Sequence, residues 1–120
     1  MSQRTRKVSE SVKEIVAEEV LNLKDPRIGF LTVTDVRTSP DLKSSEVFWT
    51  VLPDVEEVRA ATAAGLASAQ SLLRRAVGQR LRLRHVPDLH FVHDPVPEQG
   101  RRIDRLLSEA AEPDREPYQG

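Results

Sequence analysis

The chain contains no cysteine. That excludes a disulfide framework and thiolate metal sites, and it suits a reducing compartment. Aromatic residues make up only 4% of the 120 positions. The core must then be filled mainly by Val, Leu, Ile and Ala. A base-stacking platform is also excluded, because Phe48, Trp49 and Phe91 are too few and read as structural. No stretch approaches the roughly 18 apolar residues of a membrane span. The basic N-terminus is not followed by an apolar segment, so no secretory signal is expected. The expectation is one soluble, cytoplasmic domain with at most a short appendage.

Catalytic motifs are missing as well. There is no P-loop, no G-x-G-x-x-G, no G-x-S-x-G and no H-E-x-x-H. His90 and His93 stand three apart on a predicted strand, so they point to opposite faces and cannot share a metal. Asp25, Asp35, Asp41 and Asp54 are spread over loops and element ends, as turn and capping residues are. No enzyme, no metal and no cofactor is expected.

One local absence is more informative. Between Gln70 and Pro87 there is no acidic residue, while Arg74, Arg75, Arg80, Arg82, Arg84 and His85 all fall there. The formal net charge of the whole chain is only −1, so the average hides one concentrated positive segment. Guanidinium groups that neutralise phosphates release condensed counterions, which makes such a segment a footprint for nucleic acid. A solvated helix face is the competing reading of any charge run. Arg80, Arg82 and Arg84 alternate with Leu81 and Leu83, a pattern that buries the leucines and turns the arginines out together.

The elements follow from periodicity. Val8, Val12, Ile15, Val16, Val20 and Leu23 mark one face of a first helix, with Ser9, Glu10, Lys13, Glu14 and Glu18 on the other side. Arg4, Arg6 and Lys7 precede or open it as a basic arm. Asp25-Pro26 ends it. Residues Ile28 to Val36 read as a strand in which Val36 falls out of phase, so a bulge or a strand end is expected there. The segment 38–44 is a turn by composition. Glu46 to Leu52 is the second strand, with Val47, Trp49 and Val51 on one face, and the short connection favours antiparallel pairing. Asp54 and Glu57 have the spacing of a capping box. The helix they open shows an apolar face of Val55, Val58, Thr62, Gly65, Leu66, Ala69, Leu72, Leu73 and Ala76, and Gly78 is a candidate breaker. Leu89 to His93 is the third strand. Ile103, Leu106 and Leu107 are spaced for one more helical turn. The pattern is α+β, with helices over one face of a three-stranded sheet.

Four stretches in order carry a resemblance. They are Lys24-Asp25-Pro26-Arg27-Ile28-Gly29, Ser39-Pro40-Asp41-Leu42 with the strand Val47 to Leu52, the segment Leu73 to Arg84, and Val86-Pro87-Asp88-Leu89-His90-Phe91. Together, over about Val8 to Leu107, they resemble the ribosome-binding factor A family. The resemblance implies a KH-like type II fold, αββααβ, with an interhelical break of Ala-x-Gly type in place of the GxxG loop. Here that position reads Ala69-Gln70-Ser71, with serine where the family has glycine. It implies a KH-like RNA-binding domain over residues 1–110; the tail over 111–120, which the resemblance does not cover, has two prolines and almost nothing to bury and is expected to be disordered. It also implies a non-catalytic role: binding of 16S rRNA and of immature free 30S subunits by a monomer, during late maturation and rRNA processing. On this reading Arg74, Arg75, Arg80, Arg82 and Arg84 contact phosphates, helped by Ala69, Gln70 and Ser71 and by Arg4, Arg6 and Lys7. The competing function is a protein-interaction module whose basic face meets an acidic partner.

Overall fold

The structure is a computed structural model, and it describes residues 2–95. The element order is α1 (Gln3–Val20), β1 (Phe30–Thr38), β2 (Ser44–Leu52), α2 (Glu56–Leu81) and β3 (Asp88–His93). The expected turn around Ile103 and the expected tail lie outside the described residues.

The three strands form one sheet in the order β1-β2-β3. β1 and β2 pair antiparallel, with Phe30 opposite Leu52 and Thr38 opposite Ser45. The register shifts between Val33 and Asp35, which is the irregularity that Val36 announced by breaking the alternation. β3 pairs parallel to β2, from Ser44–Asp88 to Trp49–His93. A parallel neighbour needs a long crossover, and α2 supplies it.

Both helices cover one face of the sheet. Val12, Ile15, Val16 and Val20 of α1 meet Val33, Val36, Val47, Trp49 and Val51 of the sheet, and Leu66, Leu73 and Val77 of α2 close the core with Leu89. Strand alternation places Phe30, Thr32, Phe48, Thr50 and Leu52 on the opposite, uncovered face. Gly65 explains how closely α2 approaches the loop before β1. A Cβ there would sit 2.6 Å from Ile28 Cγ1, so only glycine lets the loop lie against the helix. Arg27 anchors the same loop by chelating Asp25 and donating to Ser68 Oγ at 3.0 Å.

Several expectations need correction. The second helix does not break. α2 runs 26 residues from Glu56 to Leu81, so neither Ala69-Gln70-Ser71 nor Gly78 interrupts it, and the order is αββαβ. Serine costs a helix only about 0.5 kcal/mol relative to alanine, and no proline is present to remove a hydrogen bond. Gly78 is helical, and its missing side chain leaves room for Val86; a Cβ would lie 2.6 Å from Val86 Cγ2. Asp54 does not cap α2. The N-cap is Val55, without a side-chain hydrogen bond, and Asp54 instead meets Arg59 and His93 at 3.4 and 3.2 Å. Val55 and Leu72, placed on the buried face by periodicity, are 49% and 56% exposed. Ser9 is buried, not solvated, because its hydroxyl accepts from the Thr38 amide at 3.1 Å. Thr38 and Ser44 belong to strands, so the turn is confined to residues 39–43.

Candidate nucleic-acid interface

The basic residues are positioned by three segments. The first is the start of α1. Ser2 caps it by accepting from the Thr5 amide at 3.1 Å, so Arg4, Arg6 and Lys7 stand in the first helical turns and not on a free arm. The Ser9–Thr38 hydrogen bond seats these turns against the end of β1. The second segment is the 39–43 turn. Asp41 organises it by accepting from Ser39 Oγ at 2.6 Å and from the Lys43 amide at 3.0 Å. Those bonds, with the hydroxyl of Ser39 foremost, hold the Asp41 carboxyl below the usual carboxylate range. Leu42 completes the turn at φ 62°.

The third segment is the end of α2 and the chain that follows it. Arg82 caps the helix in the left-handed region, with φ 50° and ψ 40°, and its amide bonds to the Gly78 carbonyl. The chain then returns along α2 to β3, where the Asp88 amide donates to the Lys43 carbonyl at 2.9 Å. Thr38, Ser45 and Leu89 are consecutive neighbours across the sheet, about 5 Å apart per strand. Ser9, residues 39–44 and Asp88 therefore share one end of the sheet, where Arg74 also meets Asp88. The terminus of α2 lies beside the acidic side of α1 instead, with Arg80 on Glu18.

The arginines of α2 do not form a single row. Helical geometry turns successive residues by roughly 100°. Arg75 is two positions from both Leu73 and Val77, so it points away from the core into solvent. Arg74 turns toward β3, donating to the Val86 carbonyl at 3.0 Å and lying 3.3 Å from an Asp88 oxygen. Arg80 turns toward α1 and pairs with Glu18 at 2.6 Å, a hydrogen bond that raises its pKa above the ordinary arginine value. The alternating pattern expected of Arg80, Arg82 and Arg84 fails here because the helix ends between the first and second of them. Among the described residues, Arg75, Arg82 and Arg84 have no ion-pair partner.

Ser71, Arg74, Arg75, Gly78, Gln79 and Val86 line an open groove of about 440 Å³ between α2 and the returning chain. Ser71 is exposed on the helix surface at its rim. Gln70 faces β3, where its side-chain amide donates to the Leu89 carbonyl; Ala69 is half-buried against the core. The three residues of the expected break thus do different things: one packs, one ties the helix to β3, and one meets solvent. Lys43 was missed from the sequence. Its only signal is the parallel register that sets the 39–43 turn beside Asp88, and that register cannot be read from local pattern. Among the described residues, no group of three or more His, Asp or Glu side chains could hold a metal ion. No described helix is long and apolar enough to cross a membrane.

A two-layer α+β domain of KH-like type, with exposed arginines on α2 and the chain after it, defines the class. The family model described as Ribosome-binding factor A matches residues 4–107, and the chain belongs to that family. Ribosome-binding factor A of Geobacter sulfurreducens is 46% identical over 110 residues, covering 91% of this chain and 92% of the relative. That of Acidothermus cellulolyticus is 47% identical over 114 residues, covering 94% and 75%. The crystal structure of ribosome-binding factor A from Thermus thermophilus superposes with a TM-score of 0.65 at 31% identity, over 74% of this chain and 94% of that one. A Thermus thermophilus homology model fitted into a cryo-EM map of a 30S–RbfA complex gives 0.60 at 32% identity, over 70% and 88%.

Proposed function

We propose that residues 1–110 form an RNA-binding domain that attaches to the small ribosomal subunit through phosphates of 16S rRNA. On this reading it acts in the cytoplasm as a monomer. It assists late maturation of immature 30S particles and rRNA processing, and it does so by binding, without catalysis. One observation carries the reading: in a member of this family, the acid-free segment 71–86 holds Arg74, Arg75, Arg80, Arg82 and Arg84 at exposed positions. The relative fitted as a homology model into a map of a 30S complex supports the choice of the small subunit as target.

The contacts divide into two kinds. Arg75, Arg82 and Arg84, with Arg4, Arg6, Lys7 and Lys43, are available to phosphates at once. Arg74 and Arg80 must first exchange an exposed ion pair, which water screens and which therefore gives way easily. Titration of immature small subunits at several salt concentrations tests this. Arg75→Ala and Arg84→Ala should each lower the log–log salt slope by roughly 1. Arg80→Ala should change it less, since Glu18 already holds that guanidinium. Affinity indifferent to salt would count against phosphate binding, and a stable nuclease-resistant complex with an acidic protein would replace this function with the protein-interaction reading.

A further inference from the structure

The end of the sheet opposite Thr38, Ser45 and Leu89 has its own surface. Phe30 and Leu52 are cross-strand partners on the sheet face that the helices leave uncovered. They are 83% and 70% exposed. Val55, three residues after Leu52 at the start of α2, is 49% exposed. Gly29 fixes this cluster. Its Cβ position is 3.0 Å from Val51 Cγ2 and 3.1 Å from Val58 Cγ1, so the chain enters β1 pressed against β2 and α2, with Phe30 delivered to the outside. Farther along the same open face, Phe48 is half-buried, with the Arg37 guanidinium 5.4 Å from its ring centroid.

Isolated apolar residues on a surface need no explanation, but an adjacent aromatic and aliphatic pair does. The segment that follows Leu52 in the chain is acidic. Residues 52–57 carry Asp54, Glu56 and Glu57 and no basic residue. Asp54 is engaged by Arg59 and His93. Glu56 and Glu57 are exposed, and among the described residues they have no ion-pair partner. The dipole of α2 accounts for acids in its first turn. It does not account for Phe30 or Leu52, which bury nothing within the described fold.

We infer that Phe30, Leu52 and Val55, with the exposed Glu56 and Glu57 next in the chain, dock a basic protein segment that presents an apolar residue to them. Two arguments select that occupant. The acidic segment repels phosphate, so rRNA is the wrong partner for this end. An aromatic anchor with nearby charge complementary to the partner is the usual form of a protein hot spot. The inference rests on the small-subunit reading above: with rRNA held by the exposed arginines, this end of the sheet meets a basic protein of the same particle.

The test uses the full chain. Phe30→Ser combined with Leu52→Ser changes two exposed positions and should leave the thermal melt nearly unchanged. It should weaken binding to native small subunits at least tenfold and leave binding to protein-free 16S rRNA unaltered. Equal affinity of variant and wild type for native subunits overturns the inference and leaves the proposed function standing. Wild-type protein that fails to bind native subunits overturns both. Replacing Phe30 by the photo-crosslinking residue p-benzoylphenylalanine decides the matter even if the double variant misfolds. A crosslink to a basic small-subunit protein is expected. A crosslink to rRNA, to a second copy of the chain or to this chain's own residues beyond Pro95 sinks the idea.

Discussion

Asp25 and Arg27 show how much one exposed pair can organise. Arg27 donates to both carboxylate oxygens and its own amide donates to Oδ1. The side-chain bonds from Arg27, followed by that amide, lower the Asp25 pKa from the ordinary 3.8 to about 2. A carboxyl whose folded pKa is depressed stabilises the fold fully above its unfolded value and loses that contribution as pH falls through the folded one. The contribution of Asp25 is therefore present above about pH 4 and fades toward about pH 2. NMR titration of the Asp25 carboxyl should give a midpoint near 2, and Arg27→Ala should return it toward 3.8. The same substitution should flatten the loss of stability across that interval. A midpoint unmoved by Arg27→Ala would show that the loop holds its geometry without the guanidinium.

Helix α2 is the element that departs most from expectation. Its continuity places Gln70 against Leu89 and leaves Ser71 exposed, and serine where the family has glycine is consistent with an unbroken helix. Ser71→Gly should destabilise the protein by about 0.5 kcal/mol. It should also raise hydrogen exchange at the amides near residue 71 while those of α1 stay protected. Exchange that is equal along α2 in both proteins would mean that the serine plays no part in keeping the helix whole. Elements were legible where one physical signal dominated: apolar periodicity in α1, alternation in β2, the phase break before Val36. They were illegible where a distant partner decided. Ser9 looks solvated until Thr38 is brought to it. Asp54 has a cap's spacing, but Arg59 and His93 compete for its carboxylate. Leu72 fits the apolar face of α2, yet no described element lies over it.

At the scale of the molecule, a net charge of −1 hides local concentrations of basic residues. The positive segment of α2 and the basic start of α1 were plain in the sequence. The contribution of Lys43 was not, because it depends on which ends of the strands coincide. The parallel β2–β3 ladder also has a kinetic consequence. The β1–β2 hairpin closes over a five-residue turn, residues 39–43. Ser44 and Asp88, the first β2–β3 pair, stand 88 − 44 = 44 residues apart, and loop-closure entropy opposes so distant a contact until α2 has formed. The hairpin with α1 should assemble first and β3 should join last. In chevron measurements Leu89→Ala, at a fully buried β3 position, should mainly accelerate unfolding. Val33→Ala, in the hairpin, should mainly slow folding. Equal slowing by both would place β3 in the nucleus. If β3 does dock last, the Asp88–Lys43 contact forms only at the final step, and partly folded chains lack the complete phosphate-binding surface.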